Sequence, residues 1–398
     1  MVRFRRRIIA ATAIACSGLA AMTVAATPAS AAAAASSTTL NGAGSSWAAV
    51  AILNWDAHMR QRGLIVNFTP SGSAAGRVAF IQGQEDFAAS DVPFDNGSDK
   101  LAGTAPEVPH NSYSYVPDVA GGVAFLYHLT VNGQKVTNLR LSAPTLRKIF
   151  TGEITNWDDP RITADNGRQL PSLRITPVVR SDAAGTSYFF SSWLSRVYPG
   201  DWNSFCARFL APGVKPPCGP TQQYPVFAGA RGEDGATDAA NFIRATNGAI
   251  GYDEYAYALQ AKTPVVALRN PAGDYVRPTA ADVTTALTQA SINDDRSSPD
   301  FLQEDLSKVY TSTSPSSYPI SYYSYLIVPR KPNPPAIFGS PAGKGKSLTA
   351  YINYALCGGQ RHLDRLGYAE LPPSIVNRGL QIVRSIPGHG PVLSRCGD

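Results

Sequence analysis

The sequence predicts an α/β protein, on three observations. From Leu40 onward, short apolar runs of strand length alternate with stretches of helical periodicity. Hydrophobic residues make up 44% of the 398 residues and charged residues 16%, a globular balance that excludes wholesale disorder and a fibrous repeat. No internal repeat of fixed period is visible, and 31 Pro and 34 Gly mark frequent turns. The length suggests two or three domains and is ample for a sizeable core.

The first element is an address. Met1 to Arg7 is basic, Ile8 to Ala26 is apolar and uncharged, and Thr27-Pro28-Ala29-Ser30-Ala31 offers an Ala-x-Ala cleavage site. Residues 1–31 read as a secretory signal peptide and stand outside the fold. Ile8 to Ala26 is too Ala-rich for a membrane anchor, and no later stretch is long and apolar enough to span a bilayer. Cys16 raises lipidation, which is disfavoured: Ala13 stands where an acylation site needs a branched aliphatic residue, and cleavage there would leave an apolar tail. The expected location is therefore secreted or extracytoplasmic. Residues 32–39 are a low-complexity leader expected to be disordered. The leader peptide carries Arg3, Arg5, Arg6 and Arg7 and no acid; losing these four takes the formal charge from +6 to +2. A nearly neutral chain without a basic stripe is not a nucleic-acid binder.

Next, Ser45 to Arg62 reads as a helix: Trp47, Val50, Ala51, Trp55 and Met59 follow helical spacing and Gly63 stops it. Leu64 to Phe68 reads as a strand. Ile175 to Val179 is a second strand, followed by a helix with Phe190, Trp193, Leu194 and Val197 on one face. Ser312 to Pro319 and Pro329 to Pro335 are loops. Cys206, Cys218, Cys357 and Cys396 are an even set in an exported chain, which argues for two disulfides. Three connectivities exist; local pairing, Cys206 with Cys218 and Cys357 with Cys396, is favoured. A metal site is the competing reading, but there is no CxxC pair, and His58, His110, His128, His362 and His389 are scattered. No metal or cofactor is expected.

Three segments share one pattern, small hydroxyl or Gly residues at the start of a helix: Gly42 to Trp47, Ser71 to Gly76, and Asp182 to Ser187. Helix starts expose unpaired N–H groups and the positive end of the dipole, and small residues let an anion approach that backbone. Singly, each is most often a plain cap. Two charged residues strengthen the set. Arg180 ends an apolar strand, and its fork can grip two oxygens of a tetrahedral anion. Asp182 is placed to brace that guanidinium or to cap the helix. Asp91 ends Phe87-Ala88-Ala89-Ser90-Asp91. A carboxylate in an anion site accepts a hydrogen bond from a P–O–H group and repels a fully ionised sulfate.

In these stretches the chain resembles the phosphate-binding proteins of bacterial phosphate ABC transporters. The matching motifs are Gly42-Ala43-Gly44-Ser45-Ser46-Trp47, Gly72-Ser73, Asp86 to Asp91, Ile149 to Pro160, Val179-Arg180-Ser181-Asp182, Gly185-Thr186-Ser187, Gly248 to Tyr252, Tyr318-Pro319-Ile320 and Leu371-Pro372-Pro373. They run in family order to the C-terminus. The resemblance implies a two-lobed periplasmic-binding-protein-like fold of type II with the ligand cleft between lobes. Residues 40–115 plus 265–398 would form lobe one and 116–264 lobe two. It also implies the roles. Ser46 and Trp47 donate a hydroxyl and a backbone N–H, and Ser73 donates from both. Asp91 accepts the phosphate proton, Arg180 held by Asp182 supplies charge, and Gly185 and Thr186 donate from the third helix start. The family usually carries Ser where this chain has Ala184, which removes one hydroxyl; Ser187 is a candidate to compensate. The implied partners are inorganic phosphate and the membrane permease of an ABC importer, with the binding protein a monomer and not an enzyme.

Two alternatives stand beside this reading. A secreted phosphoester hydrolase needs a nucleophile with a base, or a metal cluster, and the sequence offers neither. A binding module for another oxyanion or partner could use the same scaffold. Three motifs are decoys. Ser340 to Ser347 nearly spells a P-loop, but the first Gly falls one place early at Gly339, so Lys344 and Lys346 read as solvated charges before a helix. Ser73 is one place off the Gly-x-Ser-x-Gly elbow. Asp158-Asp159 beside Pro160 reads as a turn.

Overall fold

The structure is a computed structural model that describes residues 38–298, 301–335, 338 and 341–397. The expected signal peptide, Cys16, and all of the leader except Thr38 and Thr39 lie outside the described residues.

One mixed sheet organises the chain. Its strands are β1 (Leu40–Gly44), β2 (Val66–Thr69), β3 (Phe87–Ser90), β4 (Tyr113–Tyr127), β5 (Thr176–Arg180), β6 (Arg231–Glu233), β7 (Ala249–Glu254) and β8 (Ser321–Pro329). Across the sheet they run β2-β1-β3-β8-β4-β7-β5-β6. β1 is parallel to β2 and β3, and β5 is parallel to β7 and β6. The join is β4, fifteen residues long and buried from Tyr115 to Tyr127. Its first part, Tyr113 to Gly122, pairs antiparallel with β8; its last part, Val123 to Tyr127, pairs antiparallel with β7. The hand-over falls at Gly121-Gly122. A Cβ on Gly121 would lie 2.6 Å from the Trp47 ring and one on Gly122 2.8 Å from the Tyr318 ring, so only glycine admits both aromatics against the strand. Near-continuous burial of β4 and β8, rather than alternation, is what a sheet covered on both faces requires.

Three helices position the site: α1 (Ala49–Gln61), α2 (Ser73–Ile81) and α3 (Gly185–Val197). Each follows a strand end, as βα units do. α1 buries Ala49, Ala51, Ile52, Trp55 and Met59 on one face, and α3 buries Phe190, Trp193 and Leu194. Two starts differ from the sequence reading by more than one residue. α1 begins at Ala49, not Ser45, because residues 45–48 form a turn: Ser45 N donates to Ala89 O (2.8 Å) on β3, and Ala48 N donates to Ser45 Oγ (3.1 Å). Trp47 thus leaves the helix face. β2 begins at Val66, not Leu64, because Leu64 N donates back to Met59 O (3.1 Å) and closes the helix end.

Both local disulfides form, Cys206 with Cys218 and Cys357 with Cys396. Lys344 corrects the sequence reading. It lies inside the helix Pro341–Leu356, and its Nζ reaches both oxygens of the buried Asp86 at 2.7 and 2.8 Å. An isolated buried carboxylate is costly, and the lysine is its counterion. Asp159 caps the short helix Pro160–Asn166 by accepting from Arg161 N (2.9 Å). Among the described residues no helix is long and apolar enough to cross a membrane.

Candidate functional site

Asp91 follows directly on β3, and its carboxylate is where the helix starts meet. Ser45 Oγ donates to Asp91 Oδ1 (2.7 Å) and Ser73 Oγ to Oδ2 (3.0 Å). Ser45 belongs to the turn before α1, and Ser73 is the first residue of α2. The first residue of α3 completes the set: a Cβ placed on Gly185 would fall 2.1 Å from Asp91 Oδ2. Three segments far apart in sequence therefore converge on one carboxyl group. Gly44, at φ 140°, makes the approach possible, since a Cβ there would stand 1.9 Å from Ala89 O. Asp91 is 1% exposed, and burial raises its carboxyl above the usual carboxylate range, while the Ser45 and Ser73 hydrogen bonds and the Arg180 charge pull it back.

Arg180 ends β5 and is equally buried. Its Nε donates to Asp182 Oδ1 (2.6 Å) and its Nη2 to Asp182 Oδ2, a two-point grip that holds the guanidinium plane. Nη2 also donates to Ser46 Oγ (3.0 Å), and Nη1 lies 4.0 Å from Asp253 Oδ1. Burial works against the charge, but the Asp182 bonds and the Asp253 field outweigh it and hold the Arg180 pKa above its ordinary value. Asp182 is held in turn by Gly235 N (3.0 Å).

The nominated residues separate into three groups. Ser73, Asp91 and Gly185 meet directly, and Ser46 meets Arg180 with Asp182. Trp47 packs between Tyr322 and Tyr368, with ring centroids 4.6 and 5.5 Å away, and its carbonyl accepts from Tyr368 OH (2.6 Å). Thr186 is buried, and among the described residues its Oγ1 has no hydrogen-bond partner; Arg180 Nη1 is another such atom. Ala184 precedes α3 and offers no side-chain cap; its N donates to Gln222 O (3.0 Å). Ser187 is turned to Tyr252, Oγ to OH 2.8 Å, and Tyr252 OH accepts from Arg180 N (3.3 Å), so its hydroxyl braces the strand end.

The sequence reading passed over four residues. Ser45, quoted in the first motif but given no role there, is a partner of Asp91, while the adjacent Ser46 bonds Arg180. Asp253 and Glu254, on β7, are fully buried. Burial brings Asp253 up to about 7 against the opposing Arg180 charge, and raises Glu254 well above the usual range. Tyr257 OH donates to Ser46 O (2.6 Å). No local motif flags these three. Among the described residues no group of three or more His, Cys, Asp or Glu could hold a metal ion. Chemically, the site offers a fixed guanidinium, hydroxyls, two helix N-termini and one acceptor carboxylate, an arrangement suited to a small oxyanion bearing a proton.

The family described as a PBP superfamily domain matches residues 29–358. The phosphate-binding protein PstS of Xylella fastidiosa (strain Temecula1) is 29% identical over 342 residues, covering 85% of this chain and 83% of the relative. The phosphate-binding protein PstS3 of Mycobacterium bovis (strain BCG) is 31% identical over 352 residues, covering 87% and 86%. Among solved structures, a high affinity periplasmic phosphate-binding protein (PfluDING) bound with phosphate aligns with a TM-score of 0.62 at 20% identity, covering 89% of this chain and 100% of that one. The phosphate binding protein of Stenotrophomonas maltophilia aligns at 0.61 with 18% identity, covering 86% and 92%. At those identities the structural likeness carries the two-lobed fold alone.

Proposed function

The chain belongs to the PBP superfamily and, within it, to the PstS-like phosphate-binding proteins, and we propose that it captures inorganic phosphate around Asp91 and Arg180. The family binds substrates and is not enzymatic, which does not favour the phosphoester hydrolase alternative. The observation that supports this placement of the site is the convergence of Ser45, Ser73 and the Gly185 helix start on a single buried carboxylate. In this reading Ser46 and Thr186 donate hydroxyls, Ser73 turns its hydroxyl proton from Asp91 to the ligand on binding, and Trp47, Gly185 and Thr186 donate backbone N–H groups. Arg180, braced by Asp182, supplies the positive charge, and Asp91 takes the hydrogen bond from the phosphate proton. The two lobes are residues 40–115 plus 265–398 and residues 116–264, and the ligand lies where they meet. Ligand bridging both lobes favours the closed form, and excluding water strengthens every hydrogen bond within it.

The chain is exported and monomeric in this reading, and delivers phosphate to the permease of an ABC importer. Calorimetric titration with phosphate and with sulfate, for the unaltered protein and for Asp91→Asn, tests the site. Phosphate should bind far more tightly than sulfate, which has no proton to give Asp91 at neutral pH. Asp91→Asn should narrow the gap, because an amide no longer repels the second anion. Equal binding of the two anions by the unaltered protein would remove the reading and favour a module for some other oxyanion.

A further inference from the structure

A second set of bonds joins the two halves of the sheet away from Asp91, and it runs through residues with no assigned role. Asp99 is 6% exposed and follows β3 in sequence. Its Oδ1 accepts from Leu101 N (3.1 Å) and Ala102 N (3.0 Å) in its own turn. Its Oδ2 accepts from Thr221 Oγ1 (3.0 Å) and Gln222 N (2.8 Å), which belong to the other half. Beside it, Lys100 Nζ donates to Lys215 O (3.1 Å) and Pro217 O (2.8 Å) in the loop closed by the Cys206–Cys218 disulfide. Gln222 accepts at Oε1 from Arg77 Nη2 (3.0 Å), one turn along α2 from Ser73.

The far side of this set is tied to the third helix start. Gln222 O accepts from Ala184 N (3.0 Å), the residue immediately before α3. Thr221 N donates to Ser191 Oγ (2.8 Å), and Ser191 Oγ donates to Thr221 O (3.0 Å), so the segment is clamped to α3 along its length. Gln222 therefore holds the start of α2, through Arg77, and the start of α3, through Ala184. Asp99 and Lys100 hold Gln222 and its loop from across the divide. By comparison, Ser46 takes two bonds from the other half, from Arg180 and Tyr257.

We propose that Asp99, Lys100 and Gln222 form a clasp: positioning residues that hold the α2 and α3 starts at closed-cleft spacing and slow the release of phosphate, without touching the ligand. Because the clasp bonds exist only when the halves are together, they favour the closed form whether or not ligand is present. Apparent affinity then rises with the fraction of closed protein. The inference rests on the phosphate reading for its ligand, but not for its conformational half.

The test uses the full chain, with Asp99→Asn, Gln222→Ala, Lys100→Ala and Lys100→Arg. In Asp99→Asn the amide oxygen still caps Leu101 and Ala102, while a donor now faces Gln222 N. Stopped-flow measurement should show phosphate release faster by roughly tenfold or more in Asp99→Asn, the loss expected when bonds to a charged group are broken. Association should be little changed, and so should the melting temperature without phosphate. Lys100→Ala should move the same way by less, and Lys100→Arg, which keeps the donors, should stay near wild type. Solution scattering without phosphate should show Asp99→Asn more expanded than wild type. Unchanged release in both Asp99→Asn and Gln222→Ala overturns the clasp, as does unchanged compactness of ligand-free Asp99→Asn. If the unaltered protein takes up no phosphate, the phosphate reading fails, and the scattering comparison still decides the clasp.

Discussion

Gly185→Ala adds one methyl group and removes no functional group, so it isolates the close approach on which the site depends. The new Cβ would stand 2.1 Å from Asp91 Oδ2, 2.5 Å from Asp91 Cβ and 2.7 Å from Asp91 Cγ. Real Cβ contacts essentially never fall below 3.0 Å, so the α3 start and β3 must part by about 0.9 Å or more. Neither side can give by rotating a flexible side chain, because Asp91 is held at both oxygens by Ser45 and Ser73. Forcing extra volume into a packed site costs about 1–3 kcal/mol. The clash arises only when the two halves are together, so it opposes closure and leaves each half intact. The expected result is phosphate affinity lower by about 5- to 150-fold. Calorimetric titration gives the affinity, and thermal melting without phosphate should differ little from wild type. Wild-type affinity in a folded Gly185→Ala protein would mean that Asp91 and the α3 start do not meet in the liganded form, and that their convergence is not what binds the anion.

Two further predictions concern buried charge away from the site. Asp56 on α1 accepts from Tyr351 OH (2.8 Å), and burial raises its carboxyl from 3.8 to about 7 against that bond and the Arg60 charge. Between those values the unfolded chain has lost this proton and the folded chain keeps it. The stability it contributes is thus complete below the lower value and lost as pH rises through the upper one. The difference is at most about 4 kcal/mol. Asp56→Asn should flatten that part of the stability–pH curve in urea denaturation, and an unchanged slope would show that Asp56 is ionised in the fold. Lys344→Met should destabilise the protein by roughly 3–5 kcal/mol, because it leaves the buried Asp86 without its cation. Differential scanning calorimetry reads this, and an unshifted transition would return Lys344 to the solvated role its sequence context suggests.

The parts of the site legible in sequence are those whose chemistry is local. Small residues at a helix start, and a charge at the last residue of an apolar strand, announce themselves within six positions, and so Ser73, Asp91, Arg180 and Gly185 could be nominated together. The division of labour between Ser45 and Ser46 could not. It depends on residues 45–48 forming a turn tied to Ala89, which sends adjacent hydroxyls to opposite charges. Asp253 and Tyr252 reach Arg180 because β7 lies between β4 and β5, a pairing across some 70 to 130 residues that no window of sequence contains. Lys344 illustrates the same limit over a separation of 258 residues. The fold class needed only alternation of strands and helices, whereas the single strand β4 serving both halves had to be seen in its register.

Ala184 offers a final discrimination, because the position before a helix can serve two masters. Its backbone is extended, with φ −111° and ψ 142°, and its N is fixed to Gln222 O, so a side chain there projects from a settled point. Ala184→Ser would place a hydroxyl at the α3 start, which has no side-chain cap. A hydroxyl has one proton and two lone pairs, so it can accept from an N–H of the first turn and donate to a ligand oxygen at once. The cap should add about 0.5–2 kcal/mol of stability without phosphate. The bond to a charged ligand should add about 1.5–3 kcal/mol of affinity, roughly tenfold or more. Ser187 does not pre-empt this gain, since its hydroxyl is committed to Tyr252. A rise in both quantities puts the anion at the start of α3. A rise in stability with affinity unmoved would mean that the hydroxyl caps a helix pointing elsewhere, and that Gly185 and Thr186 are not ligands.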